Sequence, residues 1–413
     1  MSFDVERIRS HFPALREGAA HFDGPGGTQT PDVVARAVAG TLVSAIANRG
    51  EVTAAERRAE DVVAECRAAL GDLLGADPRA VVFGRSATQL TYDFSRALAK
   101  TWGPGDEVVV SRLDHDSNVR PWIQAAEAVG ATVRWADFDP ETGTQTEEHF
   151  APNLTERTRL VAMTAASNLI GTRPPVTKTA RLAHAVGALV WVDGVHATAH
   201  ATVDLTELGA DFFTCSPYKL LGPHCGVVAA ASPGLLESLQ PDKLLPSTDE
   251  VPERFELGTL PYELMAGTTA AVDFLADLAG GGGPGVSRRD RILQSYAALE
   301  LHEEALRDRL EAGIRALPGV RVYSNAGRRT PTLLFSIDGV ASQTVRQRLA
   351  EEGVNAPAGN FYALECSRHL GLGDEGAVRV GLAPYTNDDD VDRLLAALQA
   401  IATGLVQGDA ASA

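Results

Sequence analysis

The sequence has no long apolar run and no run of basic residues. A helix that spans a bilayer needs about 20 consecutive apolar residues, and no such run occurs, while the N-terminus MSFDVERIRSHFPAL is charged and has no signal-peptide core. Acidic residues outnumber basic ones by 54 to 37, and the resulting charge of −17 opposes binding to nucleic acid or an anionic membrane. We therefore expect a cytoplasmic protein whose partners are small molecules or other subunits.

Cysteine is scarce as well. The four cysteines, Cys66, Cys215, Cys225 and Cys366, lie far apart in the sequence and show no metal-ligand spacing. Disulfides are rare in the cytoplasm. The pattern therefore predicts buried, reduced thiols and no metal site.

Short β-rich runs alternate with helical segments between about residues 80 and 230. This alternation predicts an α/β fold with a largely parallel sheet. The runs are AVVFG (80–84), EVVVS (107–111), TVRWA (132–136), RLVAMT (159–164), ALVWVD (188–193), FFTCS (212–216) and GVVAA (226–230). After the glycine run at 278–285 the pattern changes to a long helical segment, which predicts a domain change there, although the run is also compatible with a surface loop inside one domain.

Polar side chains follow directly after most of these strands. The carboxyl ends of parallel strands meet at one edge of a sheet, so these side chains are expected to form a site. The set is Ser86, Thr88, His115, Asn168, Asp193, His196, Ser216 and Lys219. Two glycine-rich turns, GPGGT (24–28) and GRSAT (84–88), offer backbone N–H groups to a phosphate but fit no standard phosphate-binding motif.

Lys219 stands in an apolar, glycine-containing stretch, SPYKLLG, 26 residues after Asp193. A lysine in such surroundings can form a Schiff base with a carbonyl, and pyridoxal phosphate supplies one. That cofactor also needs a carboxylate at its pyridine nitrogen, which suits Asp193. Taken singly, Lys219 is better explained as a surface lysine and Asp193 as a helix cap, and only the pair favours the cofactor.

A succession of motifs over nearly the whole chain resembles the class V aminotransferase family, in its cysteine desulfurase-like branch. The motifs are HFDGPGGTQTP, FGRSATQLT, GDEVVVSRLDHDSNVRPW, ASNLIGT, VDGVHATAH, CSPYKLLGPHCG, RFELGT and VRVGLAPYTNDDDVDRL. The resemblance implies the fold of the fold-type I pyridoxal phosphate enzymes. We expect a mostly parallel seven-stranded sheet in a large cofactor-binding domain (21–280), a smaller α+β C-terminal domain (281–413), and an N-terminal segment (1–20) that packs with the small domain.

The resemblance also implies roles for individual residues. Lys219, Asp193 and His115 are the expected catalytic residues, with pyridoxal phosphate on Lys219 and His115 stacked on its ring. The remaining expected cofactor contacts are Asn168 and His196 near the ring hydroxyl, Ala87, Thr88, Ser216 and Tyr218 at the phosphate, and Thr259 reaching that phosphate from the other subunit of a homodimer. Arg379 is the expected ligand of the substrate α-carboxylate, and Asn360 and Tyr362 are further expected substrate contacts.

The sequence departs from the family pattern at one place. Desulfurases carry a catalytic cysteine on a mobile loop, but here the matching stretch is APAGNFYALEC, and the aligned position falls near Tyr362. Cys366 lies four residues further on, and we expect it to pack on a helix whose face it shares with Tyr362.

These features favour an enzyme that cleaves the C–S bond of an L-cysteine S-conjugate. A decarboxylating oxidative deaminase, an aminotransferase and a cysteine desulfurase are the alternatives on the same cofactor. A non-catalytic scaffold is disfavoured, because it would not need the joint presence of Lys219, Asp193, His115 and Arg379. Sulfur metabolism or a natural-product pathway is the expected setting.

Overall fold

The computed structural model describes residues 3–280, 283 and 285–410. Its strands are β1 (Ala20–His21), β2 (Val81–Gly84), β3 (Glu107–Ser111), β4 (Thr132–Ala136), β5 (Thr158–Thr164), β6 (Leu189–Asp193), β7 (Phe212–Cys215), β8 (Gly226–Ala230), β9 (Val320–Val322), β10 (Thr332–Ile337), β11 (Val354–Asn355), β12 (Ala358–Gly359) and β13 (Ala377–Gly381). The seven predicted strands correspond to β2–β8. Three of them match to the residue, and four differ by one residue at one end.

Strands β2–β8 form one sheet in the order β2-β8-β7-β6-β5-β3-β4. The pairings from β7 to β4 are parallel, whereas β8 runs antiparallel to both of its neighbours. The α/β fold with a mostly parallel seven-stranded sheet is therefore confirmed.

Both faces of this sheet are buried. In β6, Val190 and Val192 pack into one apolar cluster and Trp191 packs into the cluster on the opposite face. The same alternation recurs along β3 and β5. Because helices cover both faces, the strands are continuous apolar runs rather than alternating ones, which is why they stand out in the sequence.

The helices are α1 (Val5–Arg9), α2 (Asp32–Leu42), α3 (Ala54–Leu74), α4 (Ala87–Ala99), α5 (Arg120–Val129), α6 (Glu147–Phe150), α7 (Val176–Ala185), α8 (Leu205–Leu208), α9 (Pro233–Glu237), α10 (Tyr262–Ala276), α11 (Arg288–Arg315), α12 (Ser342–Glu351), α13 (Leu364–His369) and α14 (Asp388–Ala410). Across the described ranges, none of them combines the length and the apolarity that a membrane span requires.

A second sheet lies in the C-terminal part, in the order β12-β13-β10-β9, and all of its pairings are antiparallel. Strand β1 pairs in parallel with β11. Helices α11, α12 and α14 pack on this region and bury an apolar cluster of their own.

The predicted domain limits stay a prediction. Residues 281, 282 and 284 of the glycine run lie outside the described residues. Helix α11, which follows the run, contributes Ile292 to the large-sheet cluster and Leu310 to the C-terminal cluster. At the N-terminus, Phe12 packs with the large-sheet cluster, whereas Arg9 pairs with Asp390 of α14 at 2.7 Å.

Candidate active site

The carboxyl edge of the large sheet carries a small enclosed space, here called the inner cavity, of about 100 Å³. The structure brings the predicted strand-end residues together around it. Its lining includes Ser86, Ala87, Thr88, His115, Asn168, Asp193, His196, Ser216, Tyr218 and Lys219. Each comes from the first few residues after β2, β3, β5, β6 or β7, or from the last residue of β6.

Lys219 is 6% exposed and forms no ion pair among the described residues. Burial and the Arg379 guanidinium lower its pKa to about 8, against a smaller opposing effect of Asp193. The chain has three other lysines, and each pairs with a carboxylate: Lys100 with Asp242, Lys178 with Glu147 and Lys243 with Asp249. Of the four lysines, Lys219 thus has the amine that loses its proton most easily near physiological pH.

Asp193 ends β6 and is buried, and its Oδ1 accepts a hydrogen bond from the Val195 N–H at 2.9 Å. Burial raises the pKa of this carboxyl. A buried carboxylate of this kind favours a cationic partner in the inner cavity. The protonated nitrogen of a pyridine ring would be such a partner.

His115 follows β3 at the start of a short 3₁₀ turn. Its Nδ1 accepts a hydrogen bond from the Ser117 backbone N–H at 3.0 Å, so the neutral ring carries its proton on Nε2. Burial and the nearby cations Lys219 and Arg379 lower the pKa of His115 to about 3. The ring is therefore neutral, which is compatible with the predicted stacking on a pyridine ring.

Two buried polar atoms at the inner cavity, His196 Nδ1 and Asn168 Oδ1, have no hydrogen-bond partner within the part of the chain that the structure describes. The other ring nitrogen of His196 lies 2.9 Å from Thr330 Oγ1 and 3.0 Å from Thr332 Oγ1. The Asn168 amide nitrogen donates to the Phe361 carbonyl at 3.0 Å. Because buried polar groups are normally paired, these two free atoms indicate a polar ligand in the cavity.

The predicted phosphate contacts Ala87 and Thr88 open helix α4, whose N-cap Ser86 accepts from the Gln89 N–H at 3.1 Å. A helix N-terminus favours an anion. Gly226 lies so close to this turn that a Cβ there would come within 2.2 Å of the Ser86 carbonyl carbon. The predicted partner contact Thr259 is exposed and lines neither cavity of its own chain.

A wider space of about 690 Å³, here called the outer cavity, adjoins the inner one. The predicted carboxylate ligand Arg379, on β13, borders it and is almost fully buried. Its Nη2 donates to Asp23 Oδ1 at 2.7 Å and its Nη1 to the Asn168 carbonyl at 3.0 Å, while Nε finds no partner in residues 3–280, 283 and 285–410. The Phe361 ring lies 3.7 Å from the guanidinium carbon.

Asp23, Phe361 and Arg120 are outer-cavity residues that sequence reasoning missed. Asp23 directly precedes the GPGGT turn, for which the sequence predicts only a role of backbone N–H groups. A Cβ at Gly26 would come within 2.5 Å of the Asp23 carboxylate. The glycine three residues after Asp23 is therefore the one sequence signal that the Asp23 side chain packs against this turn.

The expected helix through Tyr362 is wrong. Helix α13 begins only at Leu364, and Phe361 and Tyr362 both have left-handed backbone conformations, with φ of 52° and 58°. Tyr362 therefore shares no helical face with Cys366. Its ring is 75% exposed and lies 5.6 Å from the His115 ring at the outer cavity.

The other predicted residues of this stretch are turned away from the outer cavity. Asn360 does not line it, because its amide nitrogen donates to the Asp374 carbonyl and its Oδ1 accepts from the Tyr362 N–H. Cys366 is fully buried, and burial raises the pKa of its thiol. All four cysteines are buried and free, as expected. No cluster of His, Cys, Asp or Glu suited to a metal occurs in the described part of the chain.

Comparison with known proteins decides the family. The aminotransferase class V family model matches residues 20–394. The chain belongs to the class V aminotransferase family. A probable cysteine desulfurase of Pseudomonas aeruginosa is 31% identical and covers 94% of this chain and 96% of its own. An uncharacterized protein of Mycobacterium tuberculosis is 34% identical over 97% of this chain and all of its own.

Solved structures agree with this family. The crystal structure of an Escherichia coli cysteine desulfurase has a TM-score of 0.85 and 26% identity, and the match covers 98% of this chain and 100% of that one. The chain described here, as a member of the class V aminotransferase family, is a pyridoxal phosphate enzyme. The free Nδ1 of His196, the free Oδ1 of Asn168 and the unpaired amine of Lys219 fit that cofactor.

Proposed function

We propose that this class V enzyme is a C–S lyase that acts on an L-cysteine S-conjugate and releases a thiol, pyruvate and ammonia. One observation carries the choice: no cysteine thiol among the described residues faces either cavity. Persulfide formation needs an accessible thiolate. Elimination at Cβ needs a base and a leaving group and no enzyme thiol.

The bound cofactor would be held by Lys219, by Asp193 at the ring nitrogen, by His196 and Asn168 at the ring hydroxyl, and by Thr88 and Ser216 at the phosphate. It supplies an electron sink for a negative charge at the substrate Cα. Arg379 binds the substrate carboxylate by charge-assisted hydrogen bonds and so fixes its orientation.

Lys219 is the base in this proposal. Its lowered pKa of about 8 gives a neutral amine in a useful fraction at physiological pH, and Nζ accepts the proton from Cα. The Cβ–S bond then breaks with its electron pair on sulfur, and the thiolate leaves. The remaining 2-aminoacrylate adds water and gives pyruvate and ammonium.

Loop residues 360–363 support the proposal by their fixed position. The Phe361 carbonyl accepts from Asn168, and the Tyr362 carbonyl accepts from the Asp116 N–H at 2.6 Å. Glu365, at the start of α13, pairs with Arg120 and Arg112 of the large-sheet side. A loop tied at both ends differs from the mobile cysteine loop that the desulfurase resemblance implies.

A cysteine desulfurase is the second candidate, because several relatives carry that name. Product analysis separates the two. Holoenzyme incubated with S-alkyl and S-aryl cysteines, and separately with free cysteine, is analysed by mass spectrometry. Pyruvate with free thiol supports the lyase. Alanine with enzyme-bound sulfur contradicts the lyase and favours the desulfurase, while carbon dioxide with an aldehyde favours the decarboxylating oxidative deaminase.

The proposal includes a cytoplasmic homodimer with shared sites. Thr259 follows a segment fixed by Glu256, whose carboxylate pairs with Arg67 at 2.8 Å and accepts from the Phe83 N–H at 2.9 Å. The exposed Thr259 would thus be presented in a defined position to the partner's phosphate site. Sedimentation measures the assembly, and a monomer with full cofactor affinity would contradict the shared site.

A further inference from the structure

The outer cavity is rich in aromatic rings for this chain. Phenylalanine, tyrosine and tryptophan make up 6% of the sequence, yet four of the seventeen lining residues are tyrosine or phenylalanine. They are Tyr92, Tyr218, Phe361 and Tyr362. A volume near 690 Å³ belongs to pockets that enclose drug-sized ligands. The cofactor and the amino-acid part of the substrate would take part of this volume, so the lining rings rather than the volume indicate the class of substituent.

Two of these rings are packed against other side chains: Phe361 covers the Arg379 guanidinium, and Tyr218 stacks on His224 with ring centres 4.8 Å apart. Tyr92, on helix α4, is half-buried. Tyr362 is different, because its ring is 75% exposed and its side chain has no hydrogen bond among the described residues. Its ring lies 5.6 Å from that of His115, tilted by 31°, and it lines the outer cavity, so most of the Tyr362 side chain stays accessible to a ligand.

The backbone that carries this exposed ring has an unfavourable conformation. Large side chains rarely adopt φ near +58°, and here two such residues follow each other. The conformation is retained because Asn360 accepts from the Tyr362 N–H and because the large-sheet side binds both carbonyls. A strained, solvent-exposed aromatic at a cavity mouth indicates function rather than packing.

The geometry points to Tyr362 as a pre-positioned stacking platform for a planar, unsaturated substituent on the substrate sulfur. The inference rests on the proposed lyase, and it narrows the substrate class to S-aryl or S-heteroaryl conjugates of L-cysteine. A flat ring lying on Tyr362 would be next to His115, which lines both cavities together with Lys219. An aryl thiolate is also a weaker base than an alkyl thiolate, and a less basic thiolate leaves faster.

The test uses two inert ligands that cannot release a thiolate because a methylene replaces sulfur. These are L-homophenylalanine, with a flat ring, and its cyclohexyl counterpart, with a puckered ring of the same size. Calorimetry on the holoenzyme should give about three- to tenfold tighter binding of the flat ring, as aromatic pairing predicts. Tyr362→Phe should keep this ratio, and Tyr362→Leu should reduce it to about one.

Two controls separate stacking from damage to the loop. L-alanine, which has no ring, should bind Tyr362→Leu as it binds the wild type. Leu301→Ala removes a similarly exposed apolar side chain, 71% exposed on α11, and should leave the ratio unchanged. Equal binding of the two rings by the wild type, or a ratio that persists in Tyr362→Leu, overturns the platform.

Thiol release from S-phenyl-L-cysteine is measured in parallel, so that the two proposals fail separately. If no thiol is released but the binding ratio depends on Tyr362 as described, the lyase is wrong and the platform stands. If thiophenol and pyruvate form while Tyr362→Leu keeps the ratio, the lyase stands and the platform is wrong.

Discussion

The inner cavity and the loop that borders the outer cavity meet at one site but are built differently. The inner cavity takes its side chains from residues that follow buried strands, so the sheet fixes their positions. Loop residues 360–363 have no such support and are held by hydrogen bonds to Asn168, Asp116 and Asp374. The sheet thus fixes the side chains proposed to hold the cofactor, whereas the loop carries Tyr362 where the desulfurase resemblance implies a cysteine.

The largest effect is expected at Lys219, in the inner cavity. Lys219→Ala removes both the anchor and the base, so turnover should fall by at least about 10³-fold. The purified variant should also lose its yellow colour and its borohydride-reducible link to pyridoxal phosphate. Lys178→Ala, at an exposed ion pair, is the matched control. A reducible link that survives in Lys219→Ala would remove the assignment.

Asp193→Asn should have the next largest effect. The amide cannot hold the pyridinium proton by a charge-assisted hydrogen bond, so turnover should drop roughly a hundredfold while the cofactor remains bound. Absorbance reports the bound cofactor, and steady-state kinetics report turnover. Near-normal turnover in this variant would rule out the electron-sink role of the carboxylate.

The rate of cofactor attachment to the apoprotein should depend on pH. Only the neutral amine of Lys219 attacks a carbonyl, so the rate should rise with pH and level off above its pKa of about 8. Arg379→Met removes a cation that lowers this pKa, and the midpoint should move upward. A wild-type midpoint near the ordinary lysine value of about 10.4 would contradict the described electrostatics.

The smallest effect is expected at Cys366, which is buried on helix α13 just after the loop. Cys366→Ala should leave turnover within a few-fold of the wild type and cost about 1 kcal/mol of unfolding free energy, because the thiol only fills space in the core. Activity assays and thermal unfolding measure the two quantities. Alanine formation from cysteine that disappears in this variant would restore the desulfurase.

The contrast between the regions also explains what the sequence could predict. Strands β2–β8 are continuous apolar runs, and the polar residues after them are therefore recognisable as members of one sheet edge. Asp23 was missed because it meets Arg379 across 356 positions of sequence, a contact that no local pattern encodes.

Tyr362 was assigned to a helix because its spacing from Cys366 fits helical periodicity. The structure differs because Phe361 and Tyr362 have left-handed backbone conformations, with carbonyls that accept hydrogen bonds from Asn168 and Asp116. Tertiary contacts thus override a local preference at the point where the chain departs from the cysteine desulfurase pattern.

Helix α11 has a mechanical consequence for this site. Its 28 residues make a rod of about 42 Å, and its two halves are embedded in the two apolar clusters. Sliding or rotating one sheet past the other would require this rod to bend or to pull out of one cluster. Helix α11 therefore keeps β13, with Arg379, at a set distance from the carboxyl edge of the large sheet, with Lys219. The space available to a substrate between these two residues is fixed by the fold.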